Sequence, residues 1–443
     1  MLSKLKQKSE FSRNVLTLMT GTSIAQAIPI VISPILTRIY TPENFGVFAL
    51  FMAITSIFGS IANGRYELAI MLPKKDEDAI NIFALGFIIN VALSFILFLV
   101  VLIFHDTLLS ILNNKEISLW LYFIPLSVFM MGCFNLLNYF NNRKKLYIDL
   151  AKANVYKSIG MAVVQLSFIF IKSGVFGLIS GQIFSQIISN TKLFFNIKYL
   201  NLFKYIKKVK IIAIGKRYKK FPLIDTFVAL IYIVYNRVII IFLQNFYDSA
   251  ILGNYFFAER LVQVPLSFLR SSISNVFFEK ISKLPKDKIY DEANQLSFQL
   301  FKYSFVPFFL IIFLSPYYIS FIFGDNWSVL SKYMIIISIS TYISFLMSPY
   351  SYILKIIEKQ EVSLFFHFIK FVLILLYFIL FNNLNIIEFL FIFILIDSFV
   401  SLIFFNVQVY FLIKKVKISI LHIIWLLLSL FVYLSIFKGE IIL

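Results

Sequence analysis

Apolar stretches of about twenty residues or more recur along the chain from Val15 to Phe437, separated by short polar connections. A hydrocarbon core about 30 Å thick offers the backbone no partners, so each stretch must satisfy its own hydrogen bonds and is read as a transmembrane helix. The pattern predicts about twelve spans, at 15–39, 45–65, 79–104, 117–140, 150–171, 174–197, 221–245, 250–278, 296–320, 328–354, 361–381 and 386–412. A thirteenth apolar segment, 418–437, follows Lys417. The expected fold class is all-α: a polytopic integral membrane protein with two six-helix lobes and an extra C-terminal helix.

The connections alternate in charge. Lys4, Lys6, Lys8 and Arg13 precede the first span, and Lys74 and Lys75, Arg143 to Lys145, Lys280 to Lys288, Lys355 and Lys359, and Lys414 to Lys417 occupy every second connection after it. The turns between them, at 41–44, 172–174, 248–250 and 382–385, carry almost no charge. Positive connections stay in the cytoplasm, so the N-terminus is expected inside. The domain organisation predicted is a basic cytoplasmic N-terminus (1–14), an N-lobe (15–197), a basic linker (198–220), a C-lobe (221–412) and an extra apolar segment (413–443). Ala25-Gln26-Ala27 mimics a signal-peptidase site, but the apolar run continues to Leu36, as in a retained first span. Residues Tyr40 to Phe48 align without a gap with Tyr247 to Tyr255, matching Tyr, Gly and an aromatic in each half. Parallel halves of this kind imply a pseudo-twofold axis along the membrane normal, as in transporters that rock two lobes about a central site.

Composition excludes several other classes. With 60% hydrophobic and 14% charged residues, the chain is no soluble domain of 443 residues. The net charge of +19 resides in the connections, where orientation and anionic headgroups account for it, so no nucleic-acid partner is expected. A single cysteine, Cys133, and three scattered histidines, His105, His367 and His422, provide neither disulfides nor metal-ligand spacing. No Gly-rich phosphate loop is seen, and no metal or cofactor is expected.

Polar groups inside the spans carry the candidate chemistry, because charge at depth faces a partner or a watery cavity. Arg237 falls in span seven, Glu259, Arg260 and Arg270 in span eight, Lys152 and Lys157 in span five, Arg38 at the outer end of span one, and Arg65 with Glu67 at the cytoplasmic end of span two. Arg260, Gln263 and Ser267 share one helical face, and Gln26 and Gln165 add uncharged hydrogen-bonding groups. One reading is a cationic cavity matched to an anionic headgroup bearing sugars, since guanidinium grips phosphate oxygens in a fork. Another is structural, with Glu259 pinning Arg237 and Lys370 pairing with Asp397; Glu259 and Asp397 are also the candidates for ion coupling. Pro29, Pro34 and Pro265 mark gating or hinge positions, or static kinks.

Leu36 to Phe48 (LTRIYTPENFGVF) and Gly64 to Lys74 (GRYELAIMLPK) resemble the oligosaccharide repeat-unit flippases (Wzx-type) of the multidrug/oligosaccharidyl-lipid/polysaccharide (MOP) exporter superfamily. Leu252 to Arg260 and Phe323 to Trp327 agree with the same resemblance. It implies a two-lobed, MATE-like bundle that carries undecaprenyl-pyrophosphate-linked oligosaccharide from the cytoplasmic to the periplasmic leaflet for O antigen or capsule. It also implies cavity roles for Arg38, Arg65, Arg237 and Arg260, with Arg237 alone outside the matching motifs. Lipid-linked oligosaccharide, membrane lipids and other polysaccharide-assembly proteins are the expected partners of a monomer in the bacterial inner membrane.

The competing readings are a multidrug/cation antiporter of the same fold and a membrane-embedded glycan polymerase or ligase. Scarce intramembrane acids disfavour the first. Short outer connections poor in His, Asp and Glu disfavour any enzyme.

Overall fold

The computed structural model describes the backbone of residues 2–170, 174–199, 202–281, 284–352, 354, 359–381, 383–413 and 420–437. Lys172, Lys283, Lys355, Asn382, Lys414, Lys415 and Lys417, used above to orient the chain, lie outside the described residues. All regular structure among the described residues is helical. Two compact units form, Met1–Gly253 and Asn254–Leu443.

In the first unit α1 (Leu2–Val31) is followed at once by α2 (Ser33–Ile39), and the interruption lies between Pro29 and Pro34. Each proline lacks the amide that would continue the ladder, which is why the first span is broken where it is. Next come α3 (Pro42–Ile61), the short α4 (Tyr66–Ala69), α5 (Asp76–Leu112), α6 (Ser118–Leu121), α7 (Ile124–Arg143), α8 (Tyr147–Ser167), α9 (Phe176–Tyr199), α10 (Lys208–Arg217) and α11 (Thr226–Phe246). Proline at the start of α3 and α7 needs no amide partner there and presets the backbone for helix.

Asparagines tie these helices together. Asn90 donates to the Phe129 carbonyl at 2.9 Å, Asn190 to Met130 at 2.9 Å, and Asn141 to Leu193 at 3.2 Å. Lipid provides no hydrophobic force between helices, so such bonds, with close packing, hold them in register. Gly132 on α7 makes room for one of them, since a Cβ there would lie 2.4 Å from Asn90 Oδ1.

The basic stretch 198–220 is not an open linker. It contains α10, whose Ile214 joins the apolar cluster of Tyr66, Ile80 and Phe140.

The second unit continues α12 (Ser249–Ile281) into α13 (Lys286–Phe313), α14 (Ser315–Phe323), α15 (Leu330–Leu346), α16 (Gln360–Leu380), α17 (Ile386–Ile413) and α18 (Ile420–Phe437). Its centre is α15, where Tyr333, Tyr342 and Phe345 are buried. Tyr342 stacks on Phe308 with centroids 5.0 Å apart and shares a 3.0 Å hydrogen bond with Ser304. The thirteenth segment is integrated into this unit: α18 packs on α15, its Ile424, Leu428 and Val432 are buried, and Trp425 Nε1 donates to Ser398 Oγ at 2.7 Å.

Among the described residues nine helical segments are long and apolar enough to cross a membrane, which makes the protein a multi-pass membrane protein. α8, α9 and α12 (Ser249–Ile281), expected as spans five, six and eight, fall outside that set. The physical reason is visible in α9, whose Gln182, Ser185, Gln186, Ser189 and Asn190 are buried against protein. Helices shielded from lipid by their neighbours can carry such groups.

Candidate functional site

The helix break between α3 and α4 is one of three points among the described residues of the first unit where a non-glycine residue takes positive φ. Gly64 and Arg65 both take left-handed backbone, at φ of 56° and 60°. Glycine adopts this freely, but for arginine it costs about 1–2 kcal/mol. Strain of this kind persists only where its surroundings enforce it, and it concentrates at working sites.

The surroundings do enforce it. Asn63, 2% exposed, donates from Nδ2 to the Gly132 carbonyl at 3.0 Å, holding one side of the break on α7. Tyr66 donates its hydroxyl to the Gly215 carbonyl of α10 at 3.1 Å, holding the other. Arg65 Nη1 lies 3.2 Å from Glu67 Oε1; the carboxylate is 2% exposed and the guanidinium 27%. Arg65 is thus anchored through one nitrogen while part of it stays accessible. Its Nε is buried without a hydrogen-bond partner among the described residues.

Arg143 braces the turn that follows. Its Nε donates to Asp76 at 3.0 Å, and its two terminal nitrogens donate to the carbonyls of Ile70 at 3.1 Å and Lys74 at 3.3 Å. Lys144 contacts the other oxygen of Asp76. Both appear in the sequence only as inner-loop charge. Their clamp role has no local signature, because the partners lie far away along the chain.

The other candidates of the first unit are dispersed. Arg38 is exposed at the end of α2 and does not meet Arg65, because α3, about 30 Å long, separates them. Lys157 on α8 sets its ammonium over the Phe134 ring at 4.7 Å, a cation–π contact on the same α7 that holds Asn63. Arg237 on α11 is half-buried, and its Nε has no hydrogen-bond partner among the described residues. Gln26 is exposed on α1, where Pro29 is buried and Pro34 half-buried. Gln165 is structural: it donates to Leu178 at 3.3 Å, and its own carbonyl accepts from the Tyr40 hydroxyl at 2.7 Å.

In the second unit Gln263 donates to Glu259 at 2.9 Å along α12, and Arg260 beside them is half-buried. Pro265 is exposed within the same uninterrupted helix. Lys370 and Asp397 form the expected ion pair at 3.0 Å, 12% and 14% exposed, with Ser401 Oγ 2.6 Å from the same ammonium. A carboxylate so engaged is held by protein.

The described residues form a helical multi-pass membrane protein with guanidinium groups at a helix break and along its helices. Known structures agree with this architecture. The chain superposes on the lipid II flippase MurJ in its inward closed conformation with TM-score 0.64 and 15% identity, covering 97% of this chain and 99% of that one. An inward-facing multidrug resistance MATE family transporter of the MOP superfamily superposes with TM-score 0.63 and 14% identity, over 89% and 94%. An outward-facing conformation of a multidrug resistance MATE family transporter gives 0.60 and 15%, over 90% and 95%. The fold is therefore MATE-like. Residues 35–332 match the polysaccharide biosynthesis protein family, and the chain belongs to it. No curated protein matches the sequence.

Proposed function

We propose that the protein is a flippase that carries undecaprenyl-pyrophosphate-linked oligosaccharide repeat units from the cytoplasmic to the periplasmic leaflet, for assembly of O antigen or capsule. The observation that carries this reading is Arg65, a strained and partly accessible guanidinium at a helix break, inside the segment that matches the polysaccharide biosynthesis family. Arg38, Lys157, Arg237 and Arg260 extend the cationic lining, with Gln26 and Gln263 as its hydrogen-bonding groups. Pro29, Pro34 and Pro265 are the proposed hinges, and Glu259 and Asp397 the proposed ion-coupling acids.

The proposal includes two lobes of six spans, 15–197 and 221–412, a cytoplasmic N-terminus, the bacterial inner membrane and a monomeric state. The membrane potential favours the direction, since each negative charge moved outward from an inside-negative compartment gains about 2.3 kcal/mol per 100 mV. Alternating access then requires only that the lobes rock, with no nucleotide site.

The test is mass spectrometry of lipid extracts from the native host lacking the gene and any redundant flippase, complemented with wild type, Arg65→Ala or Arg260→Ala. Complete lipid-linked repeat units accumulate in the deletion strain and clear only with wild type. Normal lipid-linked pools and unchanged surface glycan overturn the proposal. Efflux of a cationic dye would then bring the antiporter forward.

A further inference from the structure

Helix α10 presents two unlike faces. Inward, Ile214 is buried, Ile211 is half-buried, and Lys210 reaches Glu77 at 2.9 Å and Asp78 at 3.8 Å. Outward, Val209 is 80% and Ile212 51% exposed. At 100° per residue, Val209, Ile212, Ala213 and Lys216 share that outer face, with Lys208 and Arg217 on its flanks. Lys207, Lys208, Lys216, Arg217, Lys219 and Lys220 are all exposed. No acidic residue occurs between Lys198 and Lys220.

The helix is also fixed at a particular depth. Lys207 donates its amide to Asn81 Oδ1 at 2.9 Å, Asn81 donates to the Tyr205 carbonyl at 3.0 Å, and Gly215 lies against Leu85. Residues 77 to 85 are the first turns of α5, where its charged start, Asp76-Glu77-Asp78, gives way to an apolar run. That is the level at which a span leaves the headgroup layer and enters hydrocarbon. Tyr205 and Tyr218 bracket the helix, and Lys204 and Arg217 lie over their rings at 5.2 and 5.4 Å. Tyrosines favour the same interface.

We propose that α10 is an interfacial helix that binds anionic phospholipid, seating Val209 and Ile212 at the acyl boundary while its exposed lysines and Arg217 engage the headgroup charge. Exposed aliphatic residues set among cations, with no competing carboxylate on that face, match this chemistry. The docked helix is already formed and held by α4 and α5, so binding requires little further ordering. Each lysine near an anionic surface raises affinity about fivefold. The proposal holds whatever cargo the protein carries.

The test uses the full chain in nanodiscs of phosphatidylcholine with or without phosphatidylglycerol. Thermal midpoints are compared for wild type, for Lys208/Lys216/Lys219/Lys220→Gln, and for Lys288/Lys302/Lys332/Lys359→Gln, which removes the same charge from the second unit. Phosphatidylglycerol raises the midpoint of wild type and of the second-unit variant, while the α10 variant loses most of the rise. In a Cys133→Ser background, Ile212→Cys carrying an environment-sensitive fluorophore reports an apolar setting. Equal midpoints in the two lipids, equal loss in both lysine variants, or a fully aqueous fluorophore overturns the proposal. So does a fluorophore that enters an apolar setting only when a soluble protein is added. None of these readouts involves cargo, so failure here is separate from failure of the flippase reading.

Discussion

Gly46 of α3 and Gly253 of α12 each pack against the first turn of the other's helix. A Cβ on Gly46 would lie 2.0 Å from the Ser249 carbonyl oxygen, and one on Gly253 would lie 1.8 Å from that of Pro42. The register that aligns Tyr40 with Tyr247 also aligns Pro42 with Ser249 and Gly46 with Gly253. The contact is therefore reciprocal, each glycine facing a carbonyl in the first turn of the other helix. Backbone atoms cannot yield as a side chain would, so Gly46→Val or Gly253→Val forces the helices apart. Each is expected to destabilise the protein by about 2 kcal/mol, read as a lower thermal midpoint in detergent.

Arg65 separates strain from function. The double variant Arg65→Gly/Glu67→Gln removes the unfavourable φ together with both charges, and leaves no unpaired ion at the break. Its stability is expected to equal wild type or exceed it by about 1 kcal/mol. Complementation of a flippase deletion is expected to fail. A double variant that restores surface glycan would remove Arg65 from the proposed machinery.

Arg143→Ala deletes three donors at once and releases the turn from Ile70 to Asp76. A loss of about 2 kcal/mol is expected. Lysine does not rescue it, because a single ammonium cannot span three separated acceptors. Thermal unfolding of the two variants side by side checks both statements.

Breaking the Lys370–Asp397 pair on one side strands a buried charge. Lys370→Met or Asp397→Leu alone is expected to cost about 3 kcal/mol, whereas the double variant returns close to wild type or above it. Thermal midpoints decide this. Transport by the double variant decides whether Asp397 also couples an ion, since a stable but inactive protein assigns it that role.

The hydrogen bond that Lys210 donates to Glu77 raises the lysine's pKa above its ordinary value, with attraction to Glu77 and Asp78 adding to the shift. A raised lysine pKa contributes stability below the unfolded value, about 10.4, and loses it as pH climbs through the folded value. Docking of α10 is therefore expected to hold across neutral pH and loosen only in strong alkali. A spin label on Ala213→Cys is expected to gain mobility there, and Lys210→Gln to abolish that transition.

Most of the helical architecture was legible because lipid imposes it: about twenty apolar residues in a row have few alternatives in a bilayer. The Lys370–Asp397 pair was legible for a related reason, since opposite charges at matching depth in successive spans have strong cause to meet. The bracing of Arg65 was not legible. Its left-handed backbone depends on Asn63 reaching Gly132 and Tyr66 reaching Gly215, and those partners are distant in sequence. Nor did composition distinguish the basic stretch 198–220 as a docked helix, because its lysines read alike in a loop or on a helix face.

The amino-acid sequence by itself determined that this is a multi-pass helical membrane protein and which family it belongs to, because hydropathy and short motifs are local properties of the chain. Tertiary structure alone decided which polar residues are glue and which remain accessible. Asn90, Gln165 and Arg143 are consumed by distant carbonyls and carboxylates, whereas Arg65 keeps part of its guanidinium exposed. The physical reason is that a polar group's role in a membrane protein is set by the partner that satisfies it, and the partner is chosen by packing.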